Sequence, residues 1–280
     1  MIWVKRSIGG KVEIADNSVM RSAQNLTDVH TWGLRFTNAE RIDHISDAIL
    51  EGYRGRPGQL PLVVTPNVDI LITLEDASDY VRNSVDRAAI VLADGQPLVS
   101  FSHLAGERLS AKLAGSDLTE TMWPRILQED RVVFAIVSTA EVGIELATQH
   151  FGFAWQEAPM LPGEEGSLID RFAWECINKI SMMERIPEFI YVGIGFPKDI
   201  LVARSIIDQW PTNMGEPPLV LAVGAALEFI SGKKKRAPMI YRRLGIEFVY
   251  RMFSDPRRMV KRYLIRDSRF LLILGRLIFG

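Results

Sequence analysis

Four short stretches set polar or glycine residues at the end of an apolar run, and each offers a distinct chemistry. Asp94-Gly95 closes the run AAIVLA (88–93). A lone carboxylate at the end of an apolar strand can act as a general base, because apolar walls raise its pKa. The same dipeptide is a common turn signal. Thr65-Pro66-Asn67 closes LPLVVT (60–65). Proline cannot continue a central strand, so the chain leaves a sheet there and sets Thr65 and Asn67 at its mouth. A plain turn with Asn67 as a cap is the alternative. Gly193-Ile194-Gly195-Phe196-Pro197-Lys198 reads as strand end, glycine loop and proline-started helix. Glycines let backbone approach a phosphate, a helix N-terminus offers free N–H groups, and Lys198 adds a cation. The stretch is neither a P-loop nor a full dinucleotide fingerprint. Gly224-Ala225-Ala226, with Glu228, is a second small-residue turn into a helix. Two such turns from separate strands favour a shared phosphate pocket.

Other reactive residue types read as structural. His30, His44, His103 and His150 are scattered without metal-ligand spacing, and no metal site is expected. Cys176 falls in a helical pattern and reads as packed. Asp117 follows Gly115-Ser116 ahead of a helical pattern and reads as an N-cap.

The elements that position these stretches follow from apolar periodicity. Buried strands are expected at 60–65, 88–93, 132–138, 188–195 and 218–224. Helices are expected at 38–52, capped by Thr37 or Asn38 and stopped by Gly52, and at 75–87, 117–128, 140–150, 166–184 and 197–209. This alternation predicts an α/β fold: a Rossmann-like sheet with helices on both faces. Ligands of such sheets bind at the carboxyl ends of the strands. Beyond residue 231 only helical patterns remain, with Pro238 and Pro256 opening two of them. The expected organisation is an extension or short edge strand over 1–28, an α/β domain over 29–232 and a basic helical appendage over 233–280.

Charge is sorted along the chain. Residues 233–280 hold 14 of the 33 Lys/Arg against three acids, leaving 19 against 31 acids in the first 232 residues. The basic segment is interleaved with large apolar residues and ends in LLILGRLIFG. That composition suits an anionic membrane surface or a diphosphate, and suits lipid better than a nucleic-acid backbone. Its apolar faces can pack on the body, on a second subunit in a homo-oligomer, or on lipid. No apolar run is long enough to span a bilayer, and residues 1–18 lack a signal-peptide core. One cysteine excludes an intrachain disulfide and fits a reducing compartment. The expected location is the cytoplasm, peripheral at the inner face of a membrane.

Four C-terminal blocks fall in one register: YVGIGFPK (191–198), VGAALEFISGKKKRAP (223–238), RLGIEFVYR (243–251) and DPRRMVKRYL (255–264). With TPNVDIL (65–71), VLADGQPLV (91–99) and KLAGSDL (112–118), they resemble the WecG/TagA/CpsF glycosyltransferases, glycosyltransferase family 26. The similarity covers roughly 30–275. It implies inverting transfer, without a metal or other cofactor, from a UDP-sugar to a polyprenyl-diphosphate-linked saccharide at the cytoplasmic membrane face. It also implies an α/β nucleotide-binding domain whose helical appendage closes over the site and touches the membrane.

On that resemblance Asp94 is the base that deprotonates the acceptor hydroxyl, beside Gly95. Thr65 and Asn67 line the sugar pocket, with Lys112 and Asp117 in the third motif. Gly193, Gly195, Pro197, Lys198, Asp199 and Gly224 hold the UDP. Arg236, Arg243 and Arg251 offset charge on the leaving diphosphate in place of a metal. The chain departs from the family pattern at Asp199-Ile200, where Gln-Glu is usual, and at Lys112, where Arg is usual. Ser138-Thr139 stands for Gly-Gly and Glu228 for Asp. The first of these replaces both polar groups usual at a helix start expected to face the donor, so the donor sugar is not carried over. A non-catalytic membrane-peripheral scaffold that keeps the fold is the competing expectation.

Overall fold

The computed structural model describes residues 4–6, 12–14, 26–234 and 268–279. Six strands form one all-parallel sheet: β5 (Leu60–Val64), β6 (Ala88–Val91), β7 (Val133–Val137), β8 (Phe153–Glu157), β9 (Phe189–Gly193) and β10 (Leu219–Ala222). Their spatial order is β6-β5-β10-β9-β7-β8. Parallel strands covered on both faces read as unbroken apolar runs, which is why these sequences lack polar alternation. Residues alternate between two apolar clusters instead. Ile190, Val192, Val220 and Ala222 point to one, and Phe189, Tyr191, Leu219 and Leu221 to the other.

Helices cover both clusters, as expected. On one face lie α1 (Ile42–Leu50), α5 (Gly115–Gln128), α6 (Ala140–Gln149) and α9 (Ala226–Ile230). The other face carries α2 (Val68–Glu75), α3 (Asp79–Asp86), α4 (Gln96–Ala105), α7 (Ser167–Ser181) and α8 (Lys198–Gln209). The closing helix α10 (Ser268–Phe279) adds Phe270 and Leu274 to that second face. Arg269 ties it to Asp76 at 2.7 Å and Glu75 at 3.6 Å. Among the described residues, no helix is long and apolar enough to cross a membrane.

Two hairpins lie outside the sheet. β1 (Val4–Arg6) pairs antiparallel with β2 (Val12–Ile14). β3 (Thr27–Thr31) pairs with β4 (Leu34–Asn38), and this second hairpin blunts the β6 edge. Thr37 Oγ1 accepts from Val91 N–H at 3.2 Å, and the Arg35 guanidinium bonds the Ala88 carbonyl. Such covering removes an edge that would otherwise template strand pairing.

Several boundaries differ from the sequence expectation. The helix expected from 38 begins at Ile42 with no side-chain cap. Its expected caps serve elsewhere: Thr37 on β6, and Asn38 in a reciprocal pair with Ser110 at 2.8 and 2.9 Å. Ala114, with extended φ/ψ, is the N-cap of α5, which places Asp117 in the first turn and not at the cap. The helices expected to open at Pro238 and Pro256 lie outside the described residues.

Candidate functional site

The sheet register brings the four stretches to one level. Val91, Val64, Ala222, Val192 and Ile136 are successive partners across five strands. Because every strand is parallel, each chain leaves the sheet on the same edge. Three residues beyond that row stand Asp94, Asn67, Ala225, Gly195 and Thr139. The expected site is therefore one crevice along the carboxyl ends, where doubly wound sheets place their ligands.

Asp94 is held by backbone on both sides. Its N–H donates to the Pro66 carbonyl at 2.9 Å, extending the β5–β6 ladder past the strand ends. The preceding Ala93 carbonyl accepts from Leu113 N–H at 3.0 Å. Asp94 is half-buried and stands directly before α4, whose N-terminal partial positive charge favours an anion there. The KLAGSDL segment closes over the same place. A Cβ on Gly115 would stand 2.8 Å from Thr65 Oγ1 and 2.9 Å from Thr65 Cγ2, so only glycine lets α5 start against Thr65. Gly115 is a positioning residue that the sequence reading passed over. Its signal was a glycine at a helix start with no need for positive φ.

Thr65 is buried at the end of β5. Asn67 does cap a helix: its Oδ1 accepts from Ile70 N–H at 3.0 Å. That leaves the carboxamide N–H2 as the group a sugar oxygen would meet. Lys112 and Asp117 are half-buried on either side of Gly115.

The glycine half is built differently. Gly195 (φ +84°) and Gly224 (φ +54°) adopt left-handed backbone, and among the described residues beyond their chain neighbours no atom lies within 4 Å of a Cβ at either. Gly193 is the close-approach position: a Cβ there would meet Leu227 Cδ1 at 2.9 Å and the Gly224 carbonyl at 3.2 Å. The two turns thus adjoin, as a shared phosphate pocket requires. Pro197 follows a cis peptide and is the N-cap of α8.

The start of α8 corrects one expectation. Two of its first-turn amides, those of Asp199 and Ile200, are not free: Asp199 N–H donates to the Gly195 carbonyl at 3.1 Å. Ile200 N–H donates to the Asp199 carboxylate at 2.8 Å. Asp199 and Ile200 are 4% and 2% exposed, so neither presents a side chain to an incoming donor. Ile200 joins the apolar cluster under the helix, which draws that side of the first turn inward. Burial pushes the Asp199 carboxyl up to about 7, against the pull of two backbone N–H groups. Lys198 alone in this turn stays half-exposed.

Two residues singled out in the sequence prove to be partners. Ser138 Oγ, past β7, donates to Glu228 Oε1 of α9 at 3.3 Å. Lys234 Nζ donates to Glu228 Oε2 at 2.9 Å. The longer acid thus bridges the Gly193 loop from one side to the other. Arg236, Arg243 and Arg251 lie outside the described residues.

The remaining candidates stay structural. Cys176 is buried, which pushes its thiol up to about 12, well away from a nucleophile. His150 Nε2 sits on the Arg131 carbonyl at 2.6 Å. No group of three metal-ligating side chains occurs among the described residues. A groove of about 620 Å³ lies apart from the crevice, between Trp32, Leu71, Leu74, Arg82 and Ile273.

Comparison with known proteins agrees with the geometry. The family model "Glycosyl transferase WecG/TagA/CpsF family" matches residues 29–279. The N-acetylglucosaminyldiphosphoundecaprenol N-acetyl-beta-D-mannosaminyltransferase of Staphylococcus aureus strain MRSA252 is 27% identical over 240 residues, 84% of this chain and 87% of the relative. The enzyme of the same name from strain MW2 is 26% identical over 237 residues, 84% and 87% of the two chains. With its strand-end motifs at one level of the sheet and the family match running over residues 29–279, the chain belongs to the WecG/TagA/CpsF glycosyltransferase family.

Proposed function

We propose that the chain is an inverting glycosyltransferase that moves a hexose or N-acetylhexosamine from a UDP-sugar to a polyprenyl-diphosphate-linked saccharide. The reaction would serve bacterial cell-surface or exopolysaccharide synthesis at the inner face of the cytoplasmic membrane. The relatives' names specify an N-acetylglucosaminyl-diphosphoundecaprenol acceptor, which supports a lipid-linked acceptor here. The observation that carries the reading is Asp94, clamped by backbone at the level of Asn67 and Gly195 in a chain of this family.

In this reading Asp94 takes the proton of the acceptor hydroxyl as its oxygen attacks the anomeric carbon. The bond from that carbon to the diphosphate oxygen breaks, and UDP leaves. One in-line displacement inverts the centre, so one base suffices. Thr65, Asn67 and Lys112 line the sugar side. Gly193, Gly195, Lys198 and Gly224 take the diphosphate. Arg236, Arg243 and Arg251 neutralise the leaving charge, so the reading invokes no metal. The appendage meets the anionic membrane surface, aided by the exposed Leu272 of α10 and Phe101 of the helix it packs on, α4.

The test is transfer by purified protein from a panel of UDP-sugars to a synthetic prenyl-diphosphate-linked N-acetylglucosamine. Turnover with at least one UDP-sugar, lost in Asp94→Asn, is the expected result. Full activity in that variant would remove Asp94 from the mechanism. UDP-sugar binding without turnover would favour a scaffold.

A further inference from the structure

The start of α8 already holds an anion of its own. The Asp199 carboxylate accepts from Ile200 N–H at 2.8 Å, where a helix following a glycine loop would otherwise receive phosphate. At 4% exposure it cannot swing into water to make room. Two negative groups at one desolvated helix end repel strongly, since little solvent screens them. A buried carboxyl relieves that repulsion by accepting a proton.

We propose that donor binding at this loop is proton-coupled through Asp199: the nucleotide diphosphate binds the form of the protein whose Asp199 carboxyl is neutral. The inference rests on the reading of Gly193–Lys198 as the diphosphate loop. It concerns this chain's own residue at a position where the family pattern carries an uncharged amide.

The surroundings of Asp199 leave it as the titrating group. β5 and β10 carry no titratable side chain, and Tyr191 of β9 belongs to the opposite cluster. Asp170 of α7 accepts from Ser205, and Tyr80 of α3 donates to Asp208, both on later turns of α8. Arg204 pairs with Asp208, and Cys176 of α7 stays a neutral thiol. Burial pushes the free carboxyl up to about 7, opposed by two backbone N–H groups; among the described residues Lys198, on the same turn, is the adjacent charged side chain. A bound diphosphate would raise it further, so binding takes up a proton around neutral pH. By linkage, affinity is highest below about pH 7 and falls above it, by up to about tenfold per pH unit for one proton.

Calorimetric titration of full-length protein with UDP-N-acetylglucosamine and UDP-glucose at pH 6, 7 and 8 tests this. The diphosphate of these probes does not itself titrate in that range. Each pH is run in two buffers of different ionisation enthalpy, which reads proton uptake directly on the wild type. Expected are proton uptake at pH 7 and 8, a Kd that rises with pH, and an Asp199→Asn variant with a flat profile and tighter binding at pH 8. Asparagine keeps the acceptor for Ile200 N–H, so the two proteins should melt alike below about pH 4, where the wild-type carboxyl is protonated folded and unfolded. Binding without proton uptake, or an unchanged slope in the variant, would overturn the inference while leaving the donor loop in place. No binding of either probe at any pH would overturn both.

Discussion

The two halves of the crevice reach the same level of the sheet by opposite means. Around Asp94 the chain is fastened: Asp94 N–H donates to the Pro66 carbonyl, Leu113 N–H donates to the Ala93 carbonyl, and Gly115 admits α5 to within contact of Thr65. Around Gly195 and Gly224 the backbone is bent through left-handed conformations, with no described residue crowding the turn. A proton acceptor must be placed to within a fraction of an ångström, whereas a diphosphate needs room and approachable backbone. Fastening serves the first need and vacancy the second.

The largest effect is expected at Asp94, the proposed base. Asp94→Asn should lower turnover by at least about two orders of magnitude while leaving UDP-sugar binding and melting unchanged. A loss confined to KM would instead move Asp94 to the binding side.

The next effect contrasts the two kinds of glycine. Gly115→Ala should cost about 1–3 kcal/mol by crowding Thr65, and Thr65→Ala should relieve part of that cost in the double variant. Gly195→Ala should cost about 1–2 kcal/mol through its positive φ alone, with no second-site relief. Chemical denaturation of the set decides it, and additive losses at Gly115 and Thr65 would end the distinction.

Asp199 sharpens the comparison through pH. Its folded carboxyl stays protonated up to about 7, whereas in the unfolded chain it ionises in the ordinary carboxylate range. Wild-type stability should therefore decline as pH climbs from about 4 to about 7. Asp199→Asn removes that decline, so its advantage over wild type should grow across the same window, to ~4 kcal/mol at most. Parallel melting curves at all pH values would contradict the buried, unpaired carboxyl.

The smallest effect is expected at the bridge over the Gly193 loop. The contact from Ser138 to Glu228 is exposed and long, so Ser138→Ala should cost about 0.5 kcal/mol. A double-mutant cycle with Lys234→Ala should show weak coupling, and coupling above about 2 kcal/mol would mean the bridge is held more tightly than its exposure implies.

Much of this was legible in the chain. β5, β6, β7, β9 and β10 were unbroken apolar runs, and the site motifs sat at their ends because a parallel sheet obliges them to. β8 escaped because it is an edge strand: of FAWQE only Phe153 is buried, so no apolar run marks it. The β3–β4 hairpin escaped because its turn is Trp32-Gly33, both at positive φ, without the usual Asn or Asp. Tertiary contacts hold Trp32 there: its Nε1 donates to the Leu98 carbonyl at 3.0 Å, and its ring stacks on Phe270 at 5.2 Å. The inward turn of Asp199 had no local signal either, since polarity at a helix start ordinarily means exposure. Only the apolar cluster beneath Ile200 decides it.

Strand order carries a consequence for how the protein is made. β10 lies between β5 and β9, yet it is the last of the six to be synthesised. A nascent chain halted before Leu219 holds Asp94 and Gly195 on two sub-sheets with the strand between them missing. Asp94 and Gly195 therefore come to one level of one sheet only after β10 has been made, and until then the inner sides of β5 and β9 are open seams for chaperones to guard.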